Sequence, residues 1–114
     1  MLEVFYVHRV NKEPIAELYY DTDSKNFELK LLPTATFGNV TGFIHHMLLN
    51  NRNSVDGELA LAFVKERLVP PGRAGIAETL SNLNLPYYDE YLLLRAMKGR
   101  CVMDDFLVTH SSEM

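Results

Sequence analysis

The side chains in this sequence that could support chemistry fall into three groupings: His45-His46, the run from Arg100-Cys101 to Asp104-Asp105, and Arg67 and Arg73 on either side of Pro70-Pro71-Gly72. Adjacent histidines suggest a metal, but neighbours on a helix point about 100° apart, and two ligands on one face need a spacing of three or four. A structural or surface role is expected of both. Cys101 could act as a nucleophile if folding brought a base to it, because the thiolate is the reactive form. Following a glycine-capped helix and flanked by Arg100 and Val102, it is expected to be packed instead. Asp104-Asp105 could contribute to a divalent-cation site, yet spacing marks no further oxygen ligands, so an acidic turn or cap is the default. Arg67 and Arg73 could clamp a partner's carboxylate or phosphate through their planar forks. They could equally cap the carbonyls of the preceding helix or pair with Glu66 and Glu78.

The familiar catalytic signatures do not occur. His8 and His110 have no sequence partner for a triad, no G-x-S-x-G surrounds a serine, and Gly38, Gly42 and Gly57 are too scattered for a phosphate loop. Asp104-Asp105-Phe106 lacks the glycine of the kinase D-F-G motif, and no Gly-rich loop or H-R-D segment accompanies it. A different hint comes from six tyrosines, Tyr6, Tyr19, Tyr20, Tyr87, Tyr88 and Tyr91, which offer amphipathic contact area of the kind that anchors interfaces. Binding is the expectation ahead of catalysis, and no cofactor is expected.

Composition bounds the rest. A chain of 114 residues makes one domain, residues 1–114, and can bury roughly two-thirds of the surface its unfolded form exposes. Eleven Lys and Arg against 15 Asp and Glu leave a net charge of −4, which works against a nonspecific grip on phosphate backbones. Direct nucleic-acid binding is therefore not expected, although an acidic face could compete with DNA for a basic partner. The one cysteine can make no internal disulfide and fits a reducing compartment. Met1-Leu2-Glu3 opens without a basic-then-apolar leader, and no apolar run approaches about 18 residues, so a cytoplasmic location without a membrane span is expected.

The elements that must position these groups read as α+β. Residues 2–10 alternate, with Leu2, Val4, Tyr6, His8 and Val10 on one face and Glu3, Phe5, Val7 and Arg9 on the other. Polar turns at 11–14 and 21–26 separate this strand from a second at 15–20 and a third at 27–31, where Phe27, Leu29 and Leu31 alternate with Glu28 and Lys30 until Pro33. Three short strands so joined make an antiparallel meander. Residues 34–42 look irregular. A short helix is expected at 43–50 with Ile44, Met47 and Leu48 inward, ended by the polar run 50–54. Asp56 then caps a second helix to about residue 68, with Leu59, Ala62 and Phe63 on one side, and Pro70-Pro71-Gly72 stops it. A third helix at 74–83 aligns Ile76, Leu80 and Leu83. A fourth at 87–98 turns Tyr88, Leu92, Leu93 and Ala96 inward, with Gly99 as its left-handed cap. Phe106-Leu107-Val108 is short, apolar and β-prone enough to return to the meander.

Arg67-Leu68-Val69-Pro70, Arg73-Ala74-Gly75-Ile76, Leu80, Leu93-Leu94, Gly99, Asp104 and Phe106-Leu107-Val108 together resemble the N-terminal leader segment of HipA-like proteins from Firmicutes. In those leaders an R-x-I-P-x-x-R-x-G-I stretch precedes L-L-x-x-x-x-G-L-S-L-S-D-Q-Y-W-I, and an apolar strand ending in Leu-Pro, here Leu31-Leu32-Pro33, comes before both. The chain departs where Phe106-Leu107 replaces Tyr-Trp and Arg100-Cys101-Val102-Met103 replaces Leu-Ser-Leu-Ser. The leader normally precedes a Ser/Thr kinase domain, and since the residues that would bind ATP and magnesium do not occur in these 114 residues, kinase activity is not expected of them. The resemblance therefore implies a docking module without kinase activity, of bacterial or mobile-element origin, engaging a HipA-like toxin–antitoxin kinase or its partner. A phage- or plasmid-borne inhibitor of a host defence nuclease, of anti-CRISPR type, is the alternative. Partner contact is expected at Arg67, Arg73, Tyr87, Tyr88, Asp104 and Asp105.

Overall fold

Alternation on the first strand decides the architecture. In the computed structural model, which describes residues 1–40, 42–101 and 104–113, β1 (Leu2–Arg9) turns Phe5 and Val7 into the core and Val4 and Tyr6 away from it. β2 (Ala16–Asp21) pairs antiparallel with β1, setting Val4 opposite Tyr19 and Tyr6 opposite Glu17. β3 (Asn26–Leu31) continues the meander with Leu18 opposite Leu29. Ala16, Leu18 and Tyr20 share the buried side with Phe27 and Leu29, as the period of two requires.

The sheet is larger than a meander. β5 (Phe106–His110) returns to pair with β1, placing Val108 opposite Val7. A short strand, β4 (Ser54–Asp56), adds to β3 with Val55 opposite Leu29. The order is β4-β3-β2-β1-β5 and every pairing is antiparallel. β4 corrects the reading of Ser54 as the end of a polar helix stop: three residues with one buried valine are too few to show a period. Asp56 precedes the second helix with extended backbone, as expected of a cap, but its side chain makes no capping hydrogen bond.

Among the described residues four α-helices accompany the sheet: α1 (Gly42–Leu49), α2 (Gly57–Glu66), α3 (Ile76–Asn82) and α4 (Glu90–Met97). α1 buries Ile44 and Met47, α2 buries Ala60, Phe63 and Val64, and α4 buries Leu93 and Leu94. Leu59 and Ala62, expected inward, are exposed because α2 is turned so that Ala60 and Val64 flank Phe63 instead. α4 starts three residues later than its apolar spacing suggests because Asp89 is the cap, its carboxylate accepting the Leu92 N–H at 3.0 Å. It ends on two left-handed residues, Lys98 and Gly99. α3 has no buried residue, and only Leu80 and the following Leu83 and Leu85 reach the core. A 3₁₀ turn, Ser111–Glu113, follows β5.

The helices with buried residues pack on one side of the sheet. Tyr91 of α4 stacks on Tyr20 at 4.6 Å and meets the edge of Phe5 at 5.8 Å, and Phe43 of α1 meets Phe63 of α2. No helix of the described residues is long and apolar enough to cross a membrane.

Candidate functional site

Arg67 leaves the C-terminal end of α2 and is buried, with only 5% of its surface exposed. A buried guanidinium must find acceptors for its N–H groups or suffer a large desolvation cost. Here Nε donates to the Gly99 carbonyl at 2.6 Å, Nη1 and Nη2 form a two-pronged pair with Asp104 at 3.1 and 2.7 Å, and Nη2 also donates to the Phe106 carbonyl at 3.0 Å. Burial alone would raise the Asp104 carboxyl, but the Arg67 hydrogen bonds, the Phe106 N–H and the charges of Arg67 and Arg9 bring it below its ordinary value. Cys101, half-buried, lies with Sγ 3.9 Å from Asp104 Oδ1.

This junction closes one edge of the sheet. The Val108 N–H, pointing away from β1, donates to the Lys98 carbonyl at 2.7 Å, while Arg67 and Asp104 take the Phe106 carbonyl and N–H. Three of the groups that this edge strand would offer to another chain, the Phe106 N–H and carbonyl and the Val108 N–H, are thereby engaged. Gly99 makes the approach possible: a Cβ there would lie 2.6 Å from that of Val108, and its φ of +62° suits glycine. Arg67 and Asp104, both expected at a partner surface, are thus brought together inside the protein. Arg67 caps carbonyls, as one reading of it anticipated, but those of residues 99 and 106, far along the chain.

The other expected contact residues lie apart. Asp105 is exposed and bonded to Arg9 at 2.8 Å, and Arg9 stacks over the Phe106 ring. Tyr88 donates its hydroxyl to the Val69 carbonyl at 2.7 Å, tying the α3–α4 connection to the proline turn, and burial pushes its phenol pKa up. With Lys65, Pro70, Pro71 and Glu90 it lines a cleft of about 200 Å³. Tyr87 beside it is 59% exposed, and Arg73 is exposed two residues beyond Pro71. Of the paired histidines, His45 meets the edge of the Phe37 ring at 5.7 Å and His46 is exposed. Among the described residues, no group of three or more His, Cys, Asp or Glu could hold a metal ion.

A polar network that local sequence reading missed joins β1, α4 and β5. Glu3 Oε1 accepts from the Tyr91 hydroxyl at 2.9 Å and faces His110 Nε2 at 3.2 Å. The Ser112 N–H donates to His110 Nδ1, which makes Nδ1 the acceptor and assigns the ring proton to Nε2, facing Glu3. Arg95 donates to the Tyr91 hydroxyl at 3.0 Å and to Ser112 Oγ at 3.2 Å. The Tyr91 and His110 bonds hold the Glu3 carboxyl below its usual value against burial, while burial and Glu3 push the Tyr91 phenol up. One signal was available: Glu3 shares the parity of Phe5 and Val7, and a carboxylate on an apolar face needs a partner. Its partners are 88 and 107 residues away.

The opposite face of the sheet carries a different set. Across β2 and β3, Glu17 lies opposite Lys30 and Tyr19 opposite Glu28; Asp56 of β4 lies opposite Glu28, and Val4 and Tyr6 complete the rows on β1. Tyr19 donates to Glu17 at 3.0 Å, and the Lys30 ammonium sits 5.2 Å over the Tyr19 ring and 3.9 Å from Glu28. His8, also on this face, bonds Thr109 Oγ1 at 2.9 Å. No protein-family model, curated protein or solved structure matches the chain.

Proposed function

We propose that this chain is a non-enzymatic protein-binding module of bacterial or mobile-element origin, acting in the cytoplasm by docking on another protein and regulating it. The observation that carries this reading is the surface around the proline turn. Tyr88 is tied to Val69, Tyr87 stands exposed beside it, Pro70 and Pro71 wall the adjacent cleft, and Arg73 follows in the chain. Rigid tyrosine and proline surfaces lose little entropy on binding, and tyrosine and arginine are favoured anchors of interfaces. The groups with the greatest reactive potential elsewhere support the same reading, because Arg67, Asp104 and His110 are engaged in holding the fold together. The resemblance to HipA-like leaders makes a HipA-like kinase the first partner to test.

The test is calorimetric titration of a purified HipA-like kinase with the chain and with Arg73→Ala and Tyr87→Ala. Micromolar or tighter binding by the parent, weakened about tenfold or more in Tyr87→Ala, is expected. No heat at micromolar concentrations sinks the kinase assignment. The second reading, an anti-CRISPR-type inhibitor of a host defence nuclease, is favoured by the carboxylates on the helix-free face of the sheet, Glu17, Glu28 and Asp56, since such enzymes grip nucleic acid through basic channels. An unchanged cleavage rate with excess chain removes it for the nuclease assayed.

A further inference from the structure

We propose that the helix-free face of the five-stranded sheet is a second docking surface, and that its occupant is the cationic, partly apolar surface of another protein. The proposal rests on the reading of the chain as a binding module but places contact away from the proline turn. It is motivated first by what the face leaves uncovered. Val4, Tyr6 and Tyr19 are half-buried at its centre, Leu2 at one end of the same β1 row is 57% exposed and Val10, in the turn just after β1, is 62% exposed, while His8 and Thr109 towards the β5 side are buried. By the usual strand spacing and rise the face spans roughly 20 Å by 20 Å, the scale one partner contributes to a small transient interface.

Charge then selects the occupant. Glu17, Asp21, Glu28 and Asp56 lie on this face against one lysine, Lys30, already held between the Tyr19 ring and Glu28, and the Met1 ammonium, 3.8 Å from Asp21, so the face keeps an excess of carboxylates. A second copy docking through the same face would set these carboxylates against themselves, and nucleic acid or an anionic membrane would be repelled. A surface rich in Lys and Arg with an apolar stripe complements both features of the face. The geometry also selects the mode. At one sheet edge the Phe106 N–H and carbonyl and the Val108 N–H are already taken by Asp104, Arg67 and Lys98, and the other edge is a strand of only three residues, so contact is made with the side chains of the face and not by adding a strand.

The probe is a synthetic amphipathic helix of Leu and Lys, titrated into isotopically labelled chain by NMR at low and high salt, with a Leu/Glu helix of equal length as control. Shifts centred on Val4, Tyr6, Tyr19 and Leu107 that weaken with salt are expected, since exposed charges are screened. The double variant Glu17→Lys/Glu28→Lys is expected to bind about tenfold more weakly, and Lys30→Glu, which adds a carboxylate, severalfold more tightly. The opposite directions separate an interface from simple unfolding. Shifts confined to residues 69–88, equal binding of the Leu/Glu helix, or a Lys30→Glu variant that binds more weakly would overturn the proposal. So would concentration-dependent dimerisation through this face, or binding of duplex DNA to it. A kinase or nuclease bound equally by the parent and by Glu17→Lys/Glu28→Lys, but lost with Tyr87→Ala, would sink this surface while leaving the binding reading intact.

Discussion

On β1 the side chains of Phe5 and Val7 are fully buried beneath helices, whereas those of Val4 and Tyr6, one residue over, lie half-buried on the side where no helix of the described residues packs. The covered face continues through Leu18, Leu29 and Val108 as an apolar layer that excludes water. The other continues through Glu17, Tyr19 and Glu28 as a mixture of rings and carboxylates. An antiparallel sheet tolerates this division because its alternating side chains let one side serve a core and the other face water. The covered face therefore carries most of the apolar burial, while the open one keeps its carboxylates and rings in reach of water.

The contrast breaks most sharply where apolar volume is removed from each side of the same strand. Phe5→Ala is expected to cost about 3–5 kcal/mol, because it opens a cavity under Tyr91 and His110. Val4→Ala is expected to cost about 1 kcal/mol or less, the range of strand propensity on a half-exposed surface. Denaturant melts of the two variants compare them directly, and equal losses would show that the open face is packed.

A comparable loss is expected at the β5 edge. Arg67→Ala leaves Asp104 with the Phe106 N–H and the weakly donating Cys101 thiol and frees the Gly99 and Phe106 carbonyls, at a cost of about 3–5 kcal/mol. Hydrogen exchange at the amides of β5 should rise more in this variant than at those of β3. Uniform change across the sheet would mean that Arg67 does not act on that edge.

The smallest effect is on pH dependence. Asp104 and Glu3 both have carboxyls held below their ordinary values, so the unfolded chain binds more protons on acidification. Their stabilisation is complete above the ordinary carboxylate range and is lost as pH falls through their depressed values. Asp104→Asn, measured by thermal melts between about pH 6 and pH 3, should flatten part of that acid loss. A variant melting curve with an unchanged pH slope would show that Asp104 contributes nothing to it. At the other extreme, burial raises the phenols of Tyr20, Tyr88 and Tyr91, so their contribution is intact below the ordinary tyrosine value and is lost as pH rises above it.

Much of the contrast was legible in the residues themselves. The parity of β1, the alternation of Phe27, Leu29 and Leu31 with Glu28 and Lys30, the proline stop after α2 and the left-handed Gly99 are each local and each present. Helix faces were less legible. α4 spans only about two turns, and in so short a piece Leu92, Leu93 and Leu94 compete for the inward position; packing chose Leu93 and Leu94. The expected contact set divided for a related reason. Arg67 and Asp104 have the chemistry of a surface clamp, and no spacing indicates that residues 37 apart will meet inside.

What the sequence alone determined is therefore the period of each strand, the breaks between elements and the sign of the charge, because these follow from neighbours along the chain. Tertiary structure decided which parity faces the helices, that β4 and β5 flank the meander on opposite edges, and that Glu3, Tyr91 and His110 converge. Burial sets those outcomes: a charge or an unpaired strand edge withdrawn from water must find its complement wherever the fold can bring one, at whatever distance along the chain.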